Sequence, residues 1–178
     1  MQNHRAATRY AKSLIGLAEE TSVLDQVKDD MQLFIKVFNE NHLLATVLRN
    51  PVIQHTKKRA ILRALYEGKM NSLTLTAFDL ITKKNRESIL DVIATEFLVQ
   101  YNELKGIQEA TVITTISLDE SQKKEFNKVV KSLTGKQPEL TMKIDESLIG
   151  GFVLDIGDSQ LDESVKSKLN KIHRELTA

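Results

Sequence analysis

Apolar side chains in the first hundred residues recur at intervals of three and four, with polar residues between them. This spacing places the apolar residues on one face of a helix, so it predicts amphipathic α-helices. Six are predicted, with apolar stripes formed by Tyr10, Leu14, Leu17 and Ala18; Leu24, Val27, Met31, Phe34 and Phe38; Leu43, Leu44, Val47 and Leu48; Ala60, Ile61, Ala64 and Leu65; residues 73–81; and Ile89, Ile93, Phe97, Tyr101 and Leu104.

The breaks between these stripes are short. Pro51 ends the third helix, because the residue before a proline avoids helical backbone. Gly68 and Gly106 stand where the fourth and sixth helices should end, and Thr56 is a candidate N-cap of the fourth. Six helices with short connections predict a compact bundle over residues 1–105.

The pattern changes after Gly106, where three segments have the features of β-strands. Residues 111–118 are rich in β-branched side chains, which favour strands. In the segment 140–144, Leu140, Met142 and Ile144 alternate with polar residues, and in the segment 152–156, Phe152, Leu154 and Ile156 occupy every second position. This period of two is that of a half-buried strand. A turn at residues 145–147 separates these two segments and predicts a β-hairpin.

Two helices accompany these strands. The first starts at Asp119, which forms a capping-box pattern with Gln122, and it ends before Gly135 and Pro138. The inner face of this helix is predicted to hold Phe126, Val129, Val130 and Leu133, and the last helix carries Val165, Leu169, Ile172 and Leu176. The predicted fold class is therefore α+β: an N-terminal six-helix bundle and a small C-terminal α+β domain, residues 106–178, with a short mixed sheet and two helices.

Two adjacent glycines, Gly150 and Gly151, open the third predicted strand, although the chain has only seven glycines. Glycine within a strand loses packing and costs backbone entropy. A pair at this position permits a bulge, or the close approach of a helix to the sheet. We interpret both glycines as structural residues; direct contact with a partner is the alternative.

Length, composition and charge limit the classes of function. The chain has 178 residues, of which 41% are apolar and 28% charged, as expected for a folded chain of one ordinary domain or two small ones. Residues 1–105 carry 15 basic and 12 acidic side chains and the remainder 10 and 12, so neither part has the basic excess that phosphate-backbone binding needs. The absence of cysteine excludes disulfides and thiolate chemistry.

No constellation of reactive side chains is evident. The four histidines are scattered, and no phosphate-binding glycine loop, nucleophilic-serine elbow or HExxH motif occurs. The acidic residues Asp155, Asp158, Asp162 and Glu163 form either a solvated edge or a cation site, and the strand alternation favours the solvated edge. No catalytic residue, metal site or cofactor is expected. No apolar run approaches the length of about 20 residues that spans a bilayer, and a signal peptide before the first helical pattern is not expected.

The densest basic cluster is formed by Lys57, Lys58 and Arg59. Because no aromatic residues are interleaved with it, this cluster is predicted to be a solvated helix face. The alternative is a nucleic-acid or ribosome-associated adaptor that uses these three residues and Arg63.

Three groups of residues resemble a known family. The segment 144–169, which contains LIGGFVLDIGDSQLDESVKSKL, resembles the C-terminal signature of the delta subunit of bacterial ATP synthase, the homologue of the mitochondrial oligomycin-sensitivity-conferring protein. The segment RYAKSLIGLAEE is similar to the opening helix of that family, with Tyr10, Ala11 and Leu14 in register. Residues 50–53 (NPVI) and 83–86 (KKNR) match further family positions.

Two positions depart from the family pattern. Glu163 stands where relatives usually have glycine, so a glycine-only conformation is not expected at that turn. Asp155 stands at an outward position that is often basic in relatives, so a partner contact that needs positive charge is not expected there.

The resemblance implies a non-catalytic peripheral-stalk subunit of a proton-translocating F-type ATP synthase. In this family the stalk holds the catalytic head still against the torque of the central shaft. The helical domain is implied to bind the N-terminal helix of an alpha subunit and the second domain to face the b subunits, with one copy per complex. The resemblance also implies peripheral attachment to the cytoplasmic side of the bacterial inner membrane through the complex, without direct membrane insertion and without a nucleic-acid partner.

The partner groove of the family lies between the first and fifth helices. By register, the resemblance implies that the alpha-subunit helix is bound by Tyr10, Ser13, Leu14, Leu17, Thr76, Leu80 and Lys83. The structural motif of the second domain comprises Gly150, Gly151, Gly157 and Asp158. Tyr10, Leu14 and Leu80 have an equally good alternative as bundle core, because a buried stripe and a groove stripe have the same sequence pattern.

Overall fold

The protein is described by a computed structural model covering residues 2–157 and 159–177, and the side chains of residues 4–157 and 159–175. The chain divides into two compact units, Met1–Tyr101 and Asn102–Ala178. Each unit is described separately.

The first unit is built from helices, as the hydrophobic periodicity predicts. Its described residues form α1 (Gln2–Glu20), α2 (Leu24–Glu40), α3 (His42–Arg49), α4 (His55–Tyr66), α5 (Ser72–Lys83) and α6 (Leu90–Lys105), with a short 3₁₀ helix, Glu87–Ile89, before α6. The last turn of α6 extends beyond the end of the unit. Gly68 and Gly106, which follow α4 and α6, both have positive φ angles, so the predicted helix ends are confirmed.

Aromatic rings fill the centre of this bundle. Phe34 lies 5.0 Å from Phe78 and 5.9 Å from Tyr66 between ring centroids, and all three side chains are buried. Burial raises the pKa of Tyr66 to about 12, because the charged phenolate would lose its hydration.

The predicted inner face of α4 is wrong. Ala60, Ile61, Ala64 and Leu65 are exposed, whereas the buried residues of α4 are Lys58, Leu62 and Tyr66. The helix turns its lysine inward because the Lys58 ammonium donates to Glu87 Oε1 at 2.6 Å and to the carbonyl of Leu48 at 2.9 Å. The N-cap position of α4 is Gln54 rather than the predicted Thr56, and it makes no side-chain capping bond.

The second unit is a mixed four-stranded sheet with two helices, which confirms the predicted fold class. Its elements are β1 (Ile107–Thr114), α7 (Glu120–Thr134), β2 (Gln137–Ile144), a 3₁₀ helix (Glu146–Leu148), β3 (Phe152–Ile156), β4 (Ser159–Asp162) and α8 (Val165–Thr177). The strand order is β2-β1-β3-β4. β1 pairs with β2 in parallel, and the pairs β1–β3 and β3–β4 are antiparallel.

The core of the second unit lies between the sheet and α7. Ala110, Val112, Val130 and Leu154 are fully or almost fully buried there, and the rings of Phe126 and Phe152 meet edge to face, also at this core. The capping box of Asp119 and Gln122 and the left-handed cap at Gly135 delimit α7 as predicted. The predicted inner face holds for Phe126 and Val130 but is wrong for the exposed Val129 and Leu133.

The predicted hairpin between the second and third strands is wrong. β2 and β3 do not pair with each other, because both pair with β1 from opposite sides. Alternation tells which face a side chain occupies, but it does not tell which strand lies alongside. Pro138, predicted to follow the helix as a stop, lies inside β2, where an edge strand tolerates its missing N–H group.

Candidate functional site

An apolar groove runs along the first unit between α1 and α5. Its cavity volume is about 160 Å³. The lining residues are almost all apolar: Tyr10, Ser13, Leu14, Leu17, Leu73, Thr76, Ala77, Leu80, Ile81 and Ile93. Six of the seven residues predicted to bind a partner helix are therefore brought together. The seventh, Lys83, is exposed in the last turn of α5 and does not line this cavity.

The groove has a buried floor and an exposed rim. Leu14, Ile81 and Ile93 are each at most 7% exposed, so they are part of the bundle core as well as the floor. Leu17 and Leu80 are 46% and 52% exposed, so they form apolar rims that water reaches. Leu14 is thus buried in the bundle core, whereas Leu80 is exposed at the rim of the groove.

Ser13 and Thr76 contribute little polarity to the groove. The hydroxyl of Ser13 donates to the carbonyl of Arg9 at 2.9 Å, and that of Thr76 donates to the carbonyl of Ser72 at 2.7 Å. Both hydroxyl protons are therefore used within their own helices. A ligand of this groove would be recognised mainly by apolar contact.

Four lining residues were not among the predicted set: Leu73, Ala77, Ile81 and Ile93. Leu73 and Ala77 lie three residues before Thr76 and Leu80, and Ile81 lies four residues after Ala77, so the period of the helix could have found them. Ile93 comes from α6, and only tertiary packing reveals it.

The start of α5 is fixed to α2 by a buried carboxylate. Asp30 Oδ2 accepts a hydrogen bond from the hydroxyl of Thr74 at 2.5 Å and from the backbone N–H of Asn71 at 2.8 Å. The Asn71 side chain in turn caps α5 by accepting from the N–H of Leu73 at 2.9 Å. A helix start held in this way gives the groove a wall of defined position.

The outer side of α5 is bound to α4 through Asp79. Arg59 donates two hydrogen bonds of 2.8 Å to this carboxylate, and Arg63 also donates to it. The hydrogen bond from Arg59, helped by Arg63, holds the pKa of Asp79 below its usual value, and the same pairing raises the pKa of Arg59.

The basic cluster of α4 is thus largely neutralised within the fold. Lys58 is buried against Glu87, and Arg59 and Arg63 share Asp79. The predicted solvated face is wrong for Lys58. These ion pairs also leave little free positive charge on α4 for a nucleic-acid backbone.

A second cavity, of about 500 Å³, adjoins one end of the apolar groove. It shares Tyr10 and Ser13 with the groove, and its other lining residues are Arg5, Ala6, Arg9 and Arg86. The guanidinium of Arg86 lies over the ring of Tyr10, 5.8 Å from its centroid. The groove therefore has a strongly basic end.

The glycine pair of the second unit lies just before β3 rather than inside it. Gly151 has φ +79°, and a Cβ atom on it would lie 2.4 Å from the carbonyl oxygen of Glu163. A Cβ atom on Gly150 would lie 3.2 Å from Cγ2 of Val165 in the first turn of α8. The two glycines thus allow the start of α8 to pack closely against the chain that enters the sheet.

Gly157, the next glycine of the motif, follows directly after β3. Gly157 has φ +56°, and Asp158 lies outside the described residues. Outside glycine, the described residues with positive φ angles are Ser22, Asn85 and Ile149. Glu163 is not among them, so its backbone does not require glycine.

The acidic residues near β4 stabilise local structure. Asp162 accepts hydrogen bonds from the N–H of Ser164 at 2.8 Å and from the hydroxyl of Ser167 at 2.5 Å. These bonds, mainly the one from Ser167, lower the pKa of Asp162. Asp155 accepts from Gln160 at 2.7 Å, and Glu163 pairs with Lys168 at 2.7 Å. In the described part of the chain, no group of three or more acidic or histidine side chains is arranged to hold a metal.

The last helix exposes an apolar stripe. Val165, Leu169 and Ile172 are between 39% and 53% exposed along α8, although their helical spacing is that of a buried face.

No helix among residues 2–157 and 159–177 combines the length and apolar character needed to cross a bilayer.

Comparison with known sequences identifies close relatives. The family model described as ATP synthase delta (OSCP) subunit matches residues 6–176. ATP synthase subunit delta of Cytophaga hutchinsonii is 47% identical over 177 residues, which cover 99% of this chain and 97% of the relative. The subunits of the same name from Amoebophilus asiaticus and Christiangramia forsetii are 38% and 35% identical, with coverage of 95% or more in both directions.

Comparison with solved structures supports the same fold. A chain of the Toxoplasma gondii mitochondrial ATP synthase hexamer, determined by cryo-EM, matches with a TM-score of 0.71. The match covers 97% of both chains at 22% sequence identity, so it bears on the fold alone.

Proposed function

This chain belongs to the ATP synthase delta (OSCP) subunit family, and from this premise we propose that its apolar groove binds the N-terminal helix of an alpha subunit. As a member of that family the chain is a non-catalytic subunit, associated with the ATP synthase complex and its peripheral stalk. The nucleic-acid adaptor alternative is not supported, because the relatives are ATP synthase subunits and the α4 basic cluster is internally paired.

The observation that carries the proposal is the exposed apolar rim of the groove. Leu17 and Leu80 leave about half of their surface in water. The floor residues of the groove are already buried in the bundle core without them. An amphipathic helix is a partner that such a groove fits, because it offers apolar side chains at matching intervals of three and four residues. Burial of both rims would add to binding without any change in the core.

The second unit is proposed to receive the C-terminal ends of the b subunits of the stalk. The exposed apolar stripe of α8 supports this assignment, since an exposed stripe of this kind usually marks an interaction surface. One copy per complex would join the stalk to the top of the alpha/beta head and resist rotational torque. The complex would hold the chain at the cytoplasmic side of the bacterial inner membrane.

The test uses the variant Leu80→Glu and a synthetic peptide of about the first 20 residues of the alpha subunit, about 30 Å of helix. The glutamate stays hydrated in the free protein, but it would be buried unpaired in the complex. Affinity measured by titration calorimetry should fall by roughly 30- to 1000-fold, or about 2–4 kcal/mol. The melting temperature of the variant should stay close to that of the parent chain.

The matched control is Leu43→Glu, because Leu43 is exposed on α3 and does not line the groove. This variant should bind the peptide as the parent does. If Leu80→Glu binds normally, the alpha-subunit site lies elsewhere. If its melting temperature collapses, Leu80 supports the core rather than a partner.

A further inference from the structure

Three arginines of the first unit are left without an acidic partner among the described residues, and all three meet at the basic end of the groove. The unit contains six arginines. Arg49 pairs with Asp91, and Arg59 and Arg63 pair with Asp79. Arg5, Arg9 and Arg86, in contrast, line one cavity in which no carboxylate takes part.

The arginines occupy only one end of the groove. Arg86 follows α5, and its backbone N–H donates to the carbonyl of Ile81 at 3.1 Å. Arg5 and Arg9 belong to the first half of α1. The basic end is therefore where α5 finishes and α1 begins. Tyr10 lies at the junction, since it lines both cavities.

We propose that the helix bound in the groove carries aspartate or glutamate side chains at the end that covers Tyr10, and that these carboxylates pair with Arg5, Arg9 and Arg86. The inference rests on the proposed function of the groove and specifies the chemistry of its occupant. Guanidinium groups suit this role because they bind carboxylates through two parallel hydrogen bonds.

The spacing of the lining residues sets the layout of such a helix. From Leu17 to Tyr10 the groove extends seven residues along α1, or about 10 Å, so it holds about two turns of an apolar face. Arg9 and Arg5 continue along the same helix for about one further turn. The carboxylates are thus expected within about one or two turns of the last buried apolar residue of the partner.

The charges would supply what the apolar groove lacks, which is a fixed register. Apolar side chains recur at every turn of an amphipathic helix, so a partner shifted by one turn would still present a similar apolar face. Carboxylates at one end distinguish the correct register from the shifted one, and they also speed encounter at low salt. Register then follows from charge, while affinity follows mainly from the leucine rims.

The test compares two double variants of the full chain that change its net charge by the same amount. Arg9→Glu/Arg86→Glu reverses two of the three arginines. Lys12→Glu/Lys84→Glu reverses two exposed lysines that are near them in sequence but line neither cavity. Binding of the alpha-subunit peptide is measured from 50 to 500 mM NaCl, with a melt of each variant.

The arginine variant should bind at least about ten times more weakly than the parent at low salt. Its affinity should no longer fall as the salt concentration rises, because two attractive charges have become repulsive. The lysine variant should stay within about threefold of the parent and keep the parent's salt dependence. A peptide with every carboxylate replaced by its amide should bind the parent chain about tenfold more weakly than the native peptide does. The arginine variant should bind this amidated peptide no more weakly than the parent chain binds it.

The outcomes separate this inference from the proposed function. If both double variants bind alike while Leu80→Glu loses binding, the groove is used but the arginines do not pair with the partner. The arginine variant could also lose as much affinity for the amidated peptide as for the native peptide, each relative to the parent chain. The arginines would then act by holding Tyr10, and the inference would also be wrong. If Leu80→Glu binds normally as well, the groove assignment itself is wrong.

Discussion

Gly151 combines two separate requirements at a single residue. Its φ of +79° is a conformation that side chains with a Cβ atom avoid, and the space that a Cβ would fill is taken by the backbone of Glu163. A backbone oxygen cannot rotate away as the end of a side chain can. The strain of a substitution would therefore pass into the junction between β4 and α8.

We expect Gly151→Ala to destabilise the second unit by about 2–4 kcal/mol, since a left-handed φ alone costs about 1–2 kcal/mol and the contact adds to it. The matched control is Gly135→Ala, which has φ +70° but nothing within 4 Å of the added atom. That variant should lose only about 1–2 kcal/mol. Both values come from urea unfolding of the full chain followed by circular dichroism. Equal losses in the two variants would show that the Glu163 contact costs nothing.

At the scale of elements, the ion pair of Lys58 and Glu87 connects three parts of the bundle. Lys58 belongs to α4, Glu87 begins the 3₁₀ helix before α6, and the carbonyl that accepts from Lys58 lies in α3. Both side chains are more than nine-tenths buried. Removal of one charge would leave the other without compensation in a medium of low polarity.

The variant Lys58→Met should therefore lose about 3–5 kcal/mol of unfolding free energy, because the Glu87 carboxylate stays buried and unpaired. The double variant Lys58→Met/Glu87→Leu should recover most of this loss, apart from about 1 kcal/mol for the carbonyl of Leu48 that loses its donor. Lys57→Met, at an exposed neighbouring position, should change stability by less than about 0.5 kcal/mol. A double variant no more stable than Lys58→Met would mean that methionine packs badly and that charge is not the cause.

The same elements show how far the sequence predicts the fold and the groove. The six helices and the α7 capping box follow from periodicity and cap chemistry, because both are local in the chain. The buried face of α4 does not follow, since a lysine counts as polar in any pattern and its partner Glu87 is 29 residues away. Alternation also predicts the faces of β2 and β3 but not that β1 lies between them, because strand order depends on tertiary pairing. The groove residues on α1 and α5 follow from family register, whereas the exposure that separates Leu80 from Leu14 depends on where neighbouring helices pack.

At the scale of the whole molecule, the role of the protein is to transmit load without reacting. A stalk subunit must hold its partners through repeated torque pulses, so slow dissociation matters more than fast association. The apolar rims of the groove suit slow dissociation, since burial of apolar surface dominates the energy of such contacts. The exposed stripe of α8 offers a comparable surface in the second unit.

The first unit should be able to fold alone. In the first unit, six helices close a core that includes the Phe34, Tyr66 and Phe78 rings and the buried ion pair, all within residues 1–101. A fragment of residues 1–105 keeps α6 complete to its last residue, so no helix is cut and no core residue of the bundle is lost. We expect this fragment to give a cooperative helical melt by circular dichroism, within about 10 °C of the corresponding transition in the full chain, because a helical bundle of this size satisfies its own core.

Fragment 1–89 is the control: it lacks α6 and with it the buried Leu90, Ile93, Ala94 and Phe97. This fragment should melt broadly or not at all, since an open core of that size cannot offset the entropy of ordering. A broad, weakly helical trace from fragment 1–105 would mean that the bundle depends on the second unit, and the division near residue 105 would not mark an independent domain.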